Sequence, residues 1–160
     1  MMETGQQTAI TLSLDEMRAL RLDVEEFNIE YAHALDALDI DAWPGFFLLD
    51  GFYRVTGREN YDAGLTIGLV WCDGRAMMQD RAAAVKTTMV HAPRYLRHYN
   101  SNVRIIGVDS EGKIHSESNY LVVETLMEEE TRIFQAGVYF DQFVRKDGVL
   151  KLQARDCIYD

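Results

Sequence analysis

Along this chain the spacing of apolar positions changes period once, and that change divides it into two halves. Leu20, Val24, Phe27, Tyr31, Ala34, Leu35 and Leu38 recur at intervals of three and four, the stripe of an amphipathic helix. Ser13-Leu14-Asp15-Glu16 precedes the stripe, a Ser-x-x-Glu capping box that satisfies the first free amides. A helix is therefore predicted over 14–38. Asp39 and Asp41 can cap a short second helix through 43–47, whose Pro44 stands in the first turn, where a missing amide costs least. Residues 50–56 alternate and are rich in aromatic and β-branched types, predicting a strand. The loop GRENYDAG follows at 57–64, then a short apolar strand at 66–71. A third helix is predicted over 76–85, with Met77, Asp80 and Ala84 on one side and Met78, Arg81 and Val85 on another.

After Pro93 the period falls to two. Long strands are predicted over 96–108, 113–127, 131–145 and 149–159, with Asp109-Ser110-Glu111-Gly112 and Lys146-Asp147-Gly148 as turns. In the third of these strands Phe134, Ala136, Val138, Phe140 and Val144 share a face interrupted only by Gln142. Ile133, Tyr139 and Phe143 lie on the other face, so both are expected to be substantially covered. Helices first and a long antiparallel meander afterwards indicate an α+β domain. The length of 160 residues fits one domain over 1–160. Residues 1–12, polar and small, are expected to be a flexible tail before the domain at 13–160.

Composition narrows the function classes. With 48% hydrophobic residues the chain can build a core without a disulfide or a structural metal. Its two cysteines, Cys72 and Cys157, stand far apart in no paired spacing, as suits a reducing cytoplasm. The longest nearly uncharged stretch, 63–72, is about half of the roughly 20 residues a membrane helix needs. No basic start or apolar signal core opens the chain. A net charge of −10 argues against phosphate backbones as partners. No membrane or nucleic acid partner is therefore expected. The charge is uneven, however. Arg75, Arg81, Lys86, Arg94, Arg97 and Arg104 form a basic stretch with Asp80 as its one acid, and 109–130 is acidic. A basic patch facing a protein partner or a second copy would use that asymmetry to steer association.

The most reactive-looking run is HAPRYLRHYNSN at 91–102, which holds His91 and His98. A Rieske cluster needs two cysteines and two histidines in close pairs; Cys72 is followed by Asp-Gly-Arg and Cys157 by Ile-Tyr-Asp. A mononuclear iron triad needs two histidines and a carboxylate converging, whereas an odd separation sends His91 and His98 to opposite faces of a straight strand. No metal is expected. Either histidine could instead meet Asp39, Asp50 or Asp141 in a cavity and act as a general base. The plainer reading, histidine and arginines bonded along a strand or at a subunit contact, fits the stretch better. No nucleophile elbow, phosphate loop or dinucleotide fingerprint occurs.

WPGFFLLDGFYRVTGRENYDAGL from Trp43, WCDGRAMMQDR, PRYLRHYNSNVRI and the closing QAGVYFDQFVRKDGVLKLQARDCIYD resemble, in order, the small (β) subunit of the aromatic-ring-hydroxylating dioxygenases. The match covers about residues 20–160 and is nearest to salicylate- and terephthalate-type oxygenases. The resemblance implies a nuclear-transport-factor-like (cystatin-like) cone, with N-terminal helices packed into a strongly curved antiparallel sheet. It implies a cytoplasmic, non-catalytic subunit that holds together an α3β3 assembly, itself trimeric within it. The Rieske [2Fe–2S] cluster and the mononuclear iron would sit in the large (α) subunit, which hydroxylates the aromatic substrate, and no cofactor would sit in this chain. The family often continues past Tyr159-Asp160, where this chain ends. Arg58, Trp71, Arg81, Arg94, Arg97 and His98 are then expected at or near subunit contacts, because arginine's planar fork suits carboxylates at a boundary. Two other classes stay open: a stand-alone cone-fold dehydratase or isomerase with a cavity His–Asp pair, and a small-ligand-binding module. A catalytic cone would pair His91 or His98 with a buried carboxylate. A subunit would show a filled interior and apolar residues awaiting neighbours.

Overall fold

The computed structural model describes residues 9–91 and 93–160. Helix α1 spans Leu14–Asp36, a 3-10 turn spans Trp43–Phe46, and strand β1 runs from Phe47 to Gly57. A one-turn helix α2 (Arg58–Asp62), strand β2 (Val70–Asp73) and helix α3 (Arg75–His91) complete the first half. The second half is strand after strand: β3 (Arg94–Val108), β4 (Ile114–Leu126), β5 (Arg132–Lys146) and β6 (Val149–Tyr159).

The predicted capping box is formed at the start of α1. Glu16 donates its amide to Ser13 Oγ at 3.2 Å, while Glu16 Oε2 accepts the Ser13 amide at 2.7 Å. The segment expected to be loop holds α2. The second strand is shorter and later than predicted, and α3 continues to His91. Of the flexible tail expected over 1–12, residues 1–8 lie outside the described residues; Ile10 donates its amide to Val108 O at 2.8 Å.

The chain is α+β, but the expected strongly curved antiparallel cone is not what it forms. All six strands lie in one open sheet of order β2-β1-β6-β5-β4-β3, neither closed nor strongly curled. β3 to β6 make the predicted antiparallel meander. β1 instead lies parallel to β6, from Phe47↔Leu152 to Gly57↔Tyr159. This arrangement makes β6 an interior strand and leaves β2 and β3 as the two edges.

One face of the sheet carries the core. Val24 and Tyr31 of α1, Trp43, Phe47, and Met78 and Ala82 of α3 are buried with Phe143, Leu152 and Cys157 of the sheet. Phe27 meets both Phe46 and Phe143 edge to face, with ring centroids 5.5 and 4.9 Å apart, the separation aromatic pairs favour. In β5 the buried positions are Gly137, Tyr139, Asp141 and Phe143. The more apolar face through Phe134, Val138 and Phe140 is the outer, partly exposed one. An aspartate on the inner face is tolerated because the core supplies its counter-charge.

Candidate functional site

That counter-charge is Arg155, which has no solvent exposure. Its Nε and Nη2 donate to the two Asp141 carboxylate oxygens, each at 2.8 Å, and Nη2 also donates to Asn28 Oδ1 at 2.6 Å. The guanidinium lies 4.3 Å from the Tyr31 ring centroid and 4.1 Å from that of Tyr139, a desolvated cation–π sandwich. Burial pushes the Asp141 carboxyl up against the pull of Arg155. Burial also opposes the guanidinium's charge, yet Asp141 more than restores it and its pKa stands well above the ordinary value. The pair is therefore ionic, a bidentate bridge. Asn28 Nδ2 reaches Asn100 Oδ1 at 3.1 Å, and Asn100 Nδ2 donates to Ser118 Oγ at 2.9 Å. The network thus ties α1 to β6, β5, β3 and β4.

This anchoring sets the end of α1 against β3. Asp36, the last residue of α1, accepts the His98 backbone amide at 3.0 Å and contacts the ring Nδ1 at 2.6 Å. A carboxylate at a helix C-terminus opposes the helix dipole, so these donors offset an unfavourable position. With Nδ1 engaged by the carboxylate, Nε2 is the ring nitrogen left for other partners. Both side chains are mostly buried, at 15% and 18% exposure. His98 lines a groove of about 510 Å³ beside α1 and two smaller pockets of about 190 and 240 Å³, both partly open to solvent. The two smaller pockets share Tyr31, Leu35, Tyr53, Arg81, Leu96 and His98. Burial raises the Tyr31 phenol to about 12 and lifts Tyr53 well above its usual value; both keep their protons at neutral pH.

The sequence-derived candidates are dispersed. His91 ends α3 in solvent, on a different element from His98. Asp39 and Asp50 are exposed, and Asp141 serves Arg155. The carboxylate that meets His98 is Asp36, which sequence reasoning missed; its signal is an acid at the end of a predicted helix. Arg58 pairs with Asp160 at 2.6 Å. Arg94 bonds Glu124 at 2.8 Å, and Arg132 bonds the same buried carboxylate at 2.7 Å. Burial opposes the Glu124 charge, but Arg132 and Arg94 overcome it and hold the carboxyl below its ordinary value. Trp71 is 40% exposed on edge strand β2, edge to face with Phe52. Arg81 is exposed on α3, and Arg97 is exposed on β3 with Nη1 bonded to Leu96 O at 2.9 Å.

Alternation along β3 sends His98 inward and Tyr95, Arg97 and Tyr99 outward. Tyr95 and Tyr99 are 66% and 58% exposed. The same outer face continues through Val123, paired with Arg97, to Ile133 of β5, paired with Val123 and 69% exposed. A strand edge flanked by exposed aromatic and aliphatic side chains is a surface that ordinarily has a neighbour.

The donors of this chain do not fit a Rieske cluster or a mononuclear iron. Cys72 and Cys157 are buried thiols with raised pKa, the latter pushed up by burial to about 12. Among the described residues no three His, Cys, Asp or Glu side chains converge on a metal position. No helix of the described residues is long and apolar enough to cross a membrane.

Comparison with known proteins agrees with the resemblance seen in the sequence. The small subunit of anthranilate 1,2-dioxygenase from Burkholderia cepacia is 35% identical over 130 residues, 81% of this chain and 80% of that protein. A β subunit of the terminal oxygenase component of terephthalate 1,2-dioxygenase from Comamonas sp. is 32% identical over 139 residues, 87% of this chain and 90% of that protein. A solved β subunit assigned to an aromatic-ring-hydroxylating dioxygenase of Novosphingobium aromaticivorans superposes with a TM-score of 0.80 at 34% identity, covering 89% of this chain and 90% of that one. The model of the ring hydroxylating beta subunit matches residues 30–160. With the whole sheet, the buried Asp141–Arg155 pair and the outer face of β3 to β5 inside that span, the chain belongs to the ring hydroxylating beta subunit family, the small subunits of ring-hydroxylating dioxygenases.

Proposed function

We propose that this chain is the structural small subunit of a cytoplasmic, multicomponent oxygenase in which three large and three small subunits assemble. The large subunit would carry the Rieske cluster and the mononuclear iron and hydroxylate an aromatic carboxylic acid. The observation that carries the assembly role is the outer face of β3 to β5, where Tyr95, Arg97, Tyr99 and Ile133 stand in solvent beside an unpaired sheet edge. Aromatic residues and arginine are the types that anchor interfaces. The acid substrate class is supported by the anthranilate and terephthalate oxygenases whose small subunits this chain is similar to. Arg58, Trp71, Arg81, Arg94 and His98 join Arg97 in the proposed contact region, although Arg58, Arg94 and His98 also make the intrachain bonds described above.

Arg97→Glu is the direct test. Its guanidinium is exposed and makes one bond to a backbone carbonyl, so folding should be unaffected. Sedimentation of the variant co-expressed with the large subunit should show a smaller species, with the thermal melt of the small subunit unchanged. A sedimentation profile identical to that of the unsubstituted protein would count against this face as the contact.

A further inference from the structure

Assembly alone gives no reason for a polar dyad facing two largely apolar pockets. His98 lines both of the smaller pockets with Nδ1 held by Asp36 and with Nε2 bonded to none of the described residues. Arg81 lines the same pockets. Its guanidinium makes no hydrogen bond or ion pair with the described residues. The remaining shared lining is Tyr31, Leu35, Tyr53 and Leu96: two phenol rings and two aliphatic side chains. An apolar, aromatic chamber with a few converging polar groups is the usual form of a small-molecule site.

We propose that this chamber binds a single-ring aromatic carboxylic acid. Arg81 pairs with the carboxylate, the ring lies against Tyr31, Tyr53 and Leu96, and His98 Nε2 accepts a hydrogen bond from a hydroxyl or amino group on the ring. The class follows from the lining. A planar guanidinium with no hydrogen-bond or ion-pair partner among the described residues selects a carboxylate, which it can bind in a bidentate fork. The phenols and leucines select a flat apolar body. In the tautomer that places the Nδ1 proton on Asp36, Nε2 is an acceptor, which selects a donor on the ligand. Size sets the upper limit. Pockets of about 190 and 240 Å³ fall below the roughly 300 Å³ at which drug-sized ligands begin to fit. Arg81 and His98 are also named for the contact region, but the test of this site needs this chain alone, so its failure is distinguishable from failure of the contact with a large subunit.

Calorimetric titration of the full 160-residue chain with 2-hydroxybenzoate, benzoate and toluene tests the proposal. 2-Hydroxybenzoate should bind saturably, and benzoate several-fold more weakly because Nε2 loses its donor. Arg81→Gln should weaken both acids at least tenfold while leaving toluene unchanged. Arg81 is exposed on α3, so the variant is expected to fold. Leu96→Trp, which fills the chamber, should abolish binding of all three, with the thermal melt confirming a folded chain. Three outcomes would overturn the proposal: no saturation by either acid in the millimolar range, acid binding unaltered by Arg81→Gln, or toluene binding as tightly as the acids.

Discussion

Asp141→Ala should be among the most damaging single substitutions in the core. The change removes the counter-charge and two of the three hydrogen bonds of a guanidinium with no solvent exposure. Only Asn28 and the ring faces of Tyr31, Tyr139 and Phe27 then remain to Arg155, and none of them neutralises it. Breaking a buried ion pair in this way costs about 3–5 kcal/mol. A domain of this kind is stable by only about 5–15 kcal/mol. With an m-value of about 2 kcal/mol/M, the urea midpoint should fall by about 2 M. Replacing both partners, Asp141→Leu with Arg155→Leu, leaves no unpaired charge. The double variant should therefore lose less than the two single losses added together. Circular dichroism followed through urea titrations of the four proteins reads all of this. A loss below about 1 kcal/mol for Asp141→Ala, or strict additivity in the cycle, would refute the claim that this pair is a coupled buried bridge.

Other perturbations have equally definite outcomes. A Cβ at Gly137 would fall 2.0 Å from Ile158 O and 2.8 Å from Tyr159 Cα, both backbone of the paired strand. Gly137→Ala should therefore part β5 from β6 and abolish soluble expression or lower the melting temperature sharply. Gly107→Ala meets no atom within 4 Å and should stay within about 0.5 kcal/mol of the parent; equal behaviour of the two variants would contradict the sheet register. Asp36→Ala leaves the His98 amide and Nδ1 without their acceptor, a loss of about 1–3 kcal/mol. The His98 amide should then exchange faster with solvent in NMR, and unchanged protection would show that the dyad is not formed. Burial raises Cys157 from 9.0 to about 12 and Tyr31 from 10.0 to about 12. Below pH 9 both states keep these protons and no pH dependence arises from them. Above it the unfolded chain ionises first, so stability should fall as pH rises from 9 to 12. At pH 11 Cys157 alone accounts for roughly 3 kcal/mol. Denaturation midpoints that stay flat from pH 9 to 11 would contradict the burial of these groups.

Much of the architecture was legible because local signals and tertiary contacts agree. The Ser13–Glu16 box starts α1 where it is expected, and the turns at Gly112 and Gly148, both with positive φ, separate the predicted strands. What was not legible depends on long-range pairing. The parallel match of β1 to β6 joins residues about a hundred positions apart, and no period or turn encodes it. A bulge placing Gln153 between the pairs Gln142↔Ala154 and Phe143↔Leu152 shifts the phase of β6. Simple alternation from Leu150 and Leu152 would put Arg155 outside; the shift turns it into the core. Asp141 was readable as a carboxylate but not as the partner of Arg155, for the same reason. In the dyad, alternation along β3 separates inward His98 from outward Arg97, yet Asp36 could be matched to His98 only once α1 lay across β3.

The assembly role is tested most directly by co-expressing this chain, tagged, with the large subunit of its oxygenase. The prediction is a single complex that carries the large subunit's iron–sulfur absorbance, while the chain purified alone shows no hydroxylation of an aromatic acid. A tagged chain that elutes without the iron-bearing partner, or one that turns over an aromatic substrate by itself, would contradict it.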